Sequence, residues 1–142
     1  MCLTLAVNHN KPHNSSKVRW KLMRCNPATR NKLVSIYEHK RYEFGKWYKA
    51  RDVRGGANKE DIGFHVFSSK AGLLGYIDTS GRDEPEYYVI VRVLVDDFVA
   101  SGHYTIPAQK METWKKMKIT GVFDLKFNPM KKKGGKYVPI KT

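Results

Sequence analysis

Tyr87 to Val95 reads Tyr-Tyr-Val-Ile-Val-Arg-Val-Leu-Val, with Arg92 its only interruption. A β-branched and aromatic run of this length cannot leave one face in water, so it predicts a central strand covered on both sides. The rest of the chain must supply two layers to cover it. Two other stretches alternate. From Lys17, Val18, Trp20 and Leu22 fall on one side and Lys17, Arg19, Lys21 and Met23 on the other. From Thr113 to Leu125, Met117, Ile119, Gly121 and Phe123 alternate with Lys116, Lys118, Thr120 and Val122. Both are expected as half-buried strands with a cationic outer face. Asn26-Pro27 ends the first of them, because the residue before proline is held away from helical backbone.

Between these landmarks, Leu33 to Tyr37 is a short apolar stretch that suits a strand or a helical turn. Tyr42 to Ala50 sets four aromatics around Gly45, which predicts a turn or bulge joining extended pieces. Ile62 to Phe67 resumes the β pattern. Ser68-Ser69 can cap a short helix from Lys70 to Ile77, with Leu73, Leu74 and Ile77 as its apolar face. Residues 8 to 16 and Arg54 to Lys59 are polar and turn-rich, and are expected as loops or arms; Thr79 to Glu86 is a charged loop, and Gly102 is expected to break the chain between Val99 and Tyr104. The fold class expected is α+β: a single domain over 1–125, with a mostly antiparallel twisted sheet of five to seven strands and one short helix. Residues 126–142 carry six Lys, no acid and the interruptions Asn128-Pro129 and Gly134-Gly135, and are expected as a basic tail that is mobile unless Tyr137, Val138 and Ile140 dock on the domain.

Charge narrows the function. The chain of 142 residues carries a formal +14, above the roughly 2 to 8 that solubility ordinarily needs. It is distributed as +10 over residues 1–54, −4 over 55–100, +2 over 101–125 and +6 over 126–142. Such a polarised field draws polyanions to one side, and a phosphate-bearing partner is the simplest reading. The candidate nucleic-acid-binding cations are Lys17, Arg19, Lys21, Arg24, Arg41, Lys46, Lys49, Arg51, Lys116, Lys118, Lys131, Lys132, Lys133 and Lys136. Trp20 lies on an apolar face and is expected in the core; Trp47 and Tyr48 could stack on bases or pack inside. No apolar run approaches the ~20 residues that cross a bilayer, and the first 17 residues lack the apolar stretch of a signal peptide. A soluble, unexported protein with reduced cysteines and no membrane partner is expected.

Catalytic chemistry has three candidate residues and no motif. Cys2 would become a nucleophile if Met1 were removed, and is otherwise a small buried side chain. His65 could act as a base, or be a hydrogen-bonded structural histidine. His9, His13, Cys2 and Cys25 lack zinc-site spacing, Asp96-Asp97 is explained by a strand reaching solvent, and no metal or cofactor is expected. No phosphate loop, dinucleotide fingerprint or Ser-His-Asp pattern occurs.

In order, Met1-Cys2-Leu3, Trp20-Lys21-Leu22, Tyr42-Glu43-Phe44-Gly45-Lys46-Trp47-Tyr48, Gly63-Phe64-His65, the strand Tyr88 to Val95 and Met117-Lys118-Ile119 resemble a family of short, uncharacterised bacteriophage and prophage proteins. The likeness covers residues 1 to about 124, and Trp20 stands where relatives have Tyr. It implies a phage accessory protein acting in the host cytoplasm and transfers no active site. A fainter likeness to ADP-ribosyltransferases would use Arg24 and Gly63 to Ser69, but Glu112 is the only Glu after Glu86 and does not stand clearly at the start of a strand. The leading expectation is a non-enzymatic protein that binds nucleic acid or a nucleic-acid-containing host complex. The alternatives are an inhibitor of an acidic host or defence protein, and an ADP-ribosyltransferase-like or N-terminal-Cys enzyme. The oligomeric state is left open.

Overall fold

The computed structural model describes residues 17–36, 40–50, 63–103 and 110–140. Residues 8–16, the Arg54–Lys59 loop, Cys2 and Arg51 lie outside them. Strands β1 (Lys17–Arg24), β2 (Leu33–Val34), β3 (Arg41–Tyr42), β4 (Trp47–Lys49), β5 (Phe64–Phe67), β6 (Tyr88–His103) and β7 (Lys110–Phe123) form one sheet. Strands β8 (Met130–Lys133) and β9 (Lys136–Pro139) form a separate hairpin, and the helix α1 spans Lys70–Ser80. Every pairing of strands is antiparallel.

The long strands β6 and β7 are the spine. β6 holds all of β1 on one edge and β7 on the other, while β7 holds β5 and β4 on its far edge. A single pair, Trp20 with Phe67, joins β5 back to β1 and closes the circuit β1–β6–β7–β5. The sheet is therefore rolled, with an inner and an outer face. Val89, Val91, Val93 and Val95 meet Met23, Phe64, Val66, Trp114, Met117 and Ile119 in the inner core. Ile90, Leu22, Phe67 and Met111 lie on the outer face beneath Leu73, Tyr76 and Ile77 of α1. Both layers demanded by the apolar run are thus present, one supplied by the rolled sheet and the other by the helix.

Local chemistry sets the boundaries. Asn26 stops β1 by accepting the backbone N–H groups of Ala28 and Thr29 at 2.9 and 3.2 Å, which opens a 3-10 turn over Pro27–Thr29. Ser69 caps α1 by accepting the Gly72 N–H at 3.0 Å, and Gly81 ends it at φ +69°. The helix thus runs three residues beyond the expected Ile77, and Tyr76 replaces Leu74 on its buried face, leaving Leu74 exposed. Leu33 to Tyr37 resolves at its start into β2 rather than a helical turn. Gly102 does not break β6, which continues to His103 paired with Lys110. Two register shifts on β6–β7, at Arg92/Val93 and Phe98/Ala100, absorb the irregularity. The first skips Thr120, so Val122, expected opposite Met117 and Ile119, joins their inner face.

The tail takes its docked alternative. Gly134 and Gly135 take φ +59° and +82°, which supplies the two left-handed residues of a tight hairpin turn between β8 and β9. Met130 and Tyr137 pack against the inner core, Phe123 bridges Pro129, and Ile140 N–H donates to the Pro129 carbonyl at 3.1 Å. Residues 130–139 are a docked structural element and not a free arm.

Candidate nucleic-acid interface

The cations selected from the sequence divide into two sets. On β1 the expected outward face points inward: Arg19 and Lys21 share a side with Met23, which is fully buried in the inner core. Arg19 Nε donates to Glu112 Oε1, with the two side chains only 21% and 15% exposed, and its guanidinium lies 5.8 Å from the Trp114 ring centre. Glu112 also accepts the Trp114 indole N–H at 3.0 Å. Lys21 Nζ donates to the His65 carbonyl at 2.7 Å. These groups hold the roll together across its opening, so the reading of β1 as an outward cationic surface is corrected. Lys17 and Arg24 are half-buried at the two ends of the strand.

On β4 and β7 the cations do face out. Register sets Trp47 opposite Lys118 and Lys49 opposite Lys116, while Tyr48 lies opposite Met117 and packs on the inner core. Tyr48 is therefore a structural ring: it meets Tyr42 edge-on at 4.8 Å, and its hydroxyl accepts the Glu43 N–H. Trp47 is the opposite case, 43% exposed, with Lys118 Nζ 5.2 Å from its ring centre. Gly45, at φ +79°, makes the turn that delivers β4 to the edge of β7 and donates its N–H to the Ile119 carbonyl at 2.9 Å. Beside Trp47 an open hollow of about 450 Å³ is lined by Trp47, Tyr48, Lys49, Asp96 and Lys116. Lys46 is exposed nearby, and Lys116 makes a loose, exposed ion pair with Asp97 at 3.9 Å.

Lys131, Lys132, Lys133 and Lys136 are exposed on the hairpin, and Arg41 is exposed on β3. Lys132 lines a second hollow of about 290 Å³ with Lys32, Phe44 and Tyr137. The hairpin lysines are therefore presented on a paired, docked hairpin.

The candidate catalytic residues do not assemble into a constellation among the described residues. His65 pairs with Thr113 across β5–β7, whereas Arg24 pairs with Val34 and Tyr88 at the far end of β1. Burial, and secondarily the Lys21 charge, hold His65 down to about 3, so the ring is neutral at pH 7. Its Nε2 and the hydroxyl of Thr113 are buried without a hydrogen-bond partner among the described residues. Glu112, considered for the ADP-ribosyltransferase likeness, is engaged by Arg19 and Trp114. Cys25 is a free, half-buried thiol whose pKa is pushed up by burial, with Lys132 opposing the shift, the reverse of an activated nucleophile.

No group of three or more His, Cys, Asp or Glu is gathered as a metal site among the described residues, and none of the described helices is long and apolar enough to cross a membrane. Two contributors were not legible in the sequence. Asp96 faces the hollow from β6, and Glu112 is the anchor of Arg19; both depend on pairings between distant strands. No family model, curated protein or solved structure matches the chain.

Proposed function

We propose that this chain is a non-enzymatic, phage-type accessory protein of the host cytoplasm. In this reading it binds nucleic acid, or a nucleic-acid-containing host complex, through the outer surface of β4 and β7 with help from the β8–β9 hairpin. The observation that supports it is the exposed Trp47 set among Lys46, Lys49, Lys116 and Lys118. Such a surface joins phosphate neutralisation to a ring face on which a base can stack. The paired cations of β1 take no part.

The test is fluorescence anisotropy with labelled oligonucleotides over a salt series. Three or four phosphate contacts lower affinity by about 20- to 150-fold between 50 and 200 mM salt. Replacing Lys49, Lys116 and Lys118 together by Gln flattens the log–log slope by about two to three units. Absence of binding at low salt, or an unchanged slope in the triple variant, rejects the reading. A nuclease-resistant acidic protein captured by the same lysines favours the inhibitor alternative instead.

A further inference from the structure

Asp96 is out of place on a surface built only to hold phosphates. A carboxylate there repels the phosphate backbone, yet it lines the same hollow as Trp47, Lys49 and Lys116. One of its oxygens is engaged: Asp96 Oδ1 accepts the Asp97 N–H at 2.8 Å, with Asp97 at φ +60°. Lys116, directly across the ladder, pairs with Asp97 and not with Asp96. The second oxygen of Asp96 has no hydrogen-bond or ion-pair partner among the described residues.

From this arrangement we infer that the hollow receives one unpaired nucleobase, stacked on Trp47, and that Asp96 selects a base whose edge carries an amino group. The inference rests on the nucleic-acid reading above and narrows it to single strands with a base preference. A hollow of about 450 Å³ falls within the ~300–1,000 Å³ of small-ligand sites. Bases in a duplex already have both faces covered, so an exposed Trp adds nothing to duplex binding, while an unpaired base gains a stacking partner. A carboxylate accepts from an exocyclic amine such as that of cytosine. Thymine and uracil offer two carbonyl oxygens on either side of one N–H, and those oxygens face the carboxylate with like partial charge. Lys49 and Lys116 then neutralise the phosphates on either side of the held base.

The experiment is competition anisotropy in mildly alkaline buffer, with oligodeoxycytidylate and oligothymidylate of equal length and a mixed-sequence duplex, on the full chain and two variants. The expected result is tighter binding of the cytidylate than of the thymidylate by about fivefold or more. Trp47→Ala weakens cytidylate binding by about fivefold or more without changing its salt slope. Asp96→Asn, which adds an amide donor and removes a charge, tightens thymidylate binding and abolishes the preference. The ratio between the two oligonucleotides is the deciding readout, because a merely structural role for Asp96 would shift both affinities together. Equal affinities in the parent chain, an unchanged ratio in Asp96→Asn, or a duplex bound more tightly than either single strand overturns the inference while the nucleic-acid reading stands. If none of the three binds at low salt, both fall.

Discussion

β1 and β7 carry nearly the same sequence pattern, basic residues alternating with apolar ones, and the fold uses them in opposite ways. In β7, Lys116 and Lys118 stay on the outer face beside Trp47, and the apolar partners Met117 and Ile119 fill the inner core. In β1, the apolar residues Trp20 and Leu22 are taken by the outer layer, where Trp20 meets Phe123 and Phe127 edge-on and Leu22 lies beneath the helix. Arg19 and Lys21 are left to face inward, and the structure engages each with a polar acceptor. Alternation specifies the period of a strand; which face is wet depends on what else packs against it. A half-buried, paired cation bears on stability, whereas an exposed one contributes little to it and is left available to a partner.

The contrast can be broken most forcefully at Glu112. Replacing it by Ala leaves Arg19 and the Trp114 indole without their acceptor and is expected to cost about 2–4 kcal/mol in urea unfolding. A loss below about 0.5 kcal/mol would mean that Arg19 is as solvated as the exposed Lys116 and that the two strands do not differ. Deleting residues 130–142 removes the packing of Met130 and Tyr137, and the thermal midpoint is expected to fall by about 5–10 °C. An unchanged midpoint would return the hairpin lysines to the status of a free arm.

His65 gives a sharper probe of the inner side of β1, because Lys21 bonds its carbonyl and opposes its protonation. Its folded pKa of about 3 lies below the unfolded value near 6.5, so the unfolded chain binds the proton first. Its contribution is fully present above pH 6.5 and is lost as pH falls toward 3, at up to about 1.4 kcal/mol per pH unit. Comparing wild type with His65→Asn from pH 7 to 5 isolates this slope, and identical pH profiles would refute the burial of the ring. The smallest expected effect is on stability of the Lys49, Lys116 and Lys118 to Gln variants, within about 0.5 kcal/mol each in the same urea titration. Larger losses would show that the outer cations are structural as well.

The sequence disclosed most of the strands and little of the surface. The Val89 to Val95 run, the Ser69 cap and the Asn26-Pro27 stop are local signals, and each is found where its chemistry puts it. The faces of β1 were not legible because α1, some fifty residues further along, takes Leu22. Gly134-Gly135 interrupts a regular element when taken alone, but two glycines between four-residue segments are also the signature of a tight β-turn. Trp47 could be marked only as undecided, since its register against Lys118 depends on a pairing across some seventy residues. Asp96 enters the hollow through the same long-range geometry.

Closure of the circuit by the Trp20–Phe67 pair bears on how the chain behaves when crowded. Open sheets recruit strands from neighbouring molecules along unpaired edges, and this roll leaves few such edges. Among the described residues the margins of the main sheet are β3, only two residues long and carrying Arg41, and β4, three residues long and carrying Lys49, while β9 of the hairpin carries Lys136 and ends at Pro139, which has no N–H to offer an incoming strand. Blunted margins of this kind disfavour edge-to-edge aggregation, and the like charge of the hairpin lysines opposes the approach of further copies.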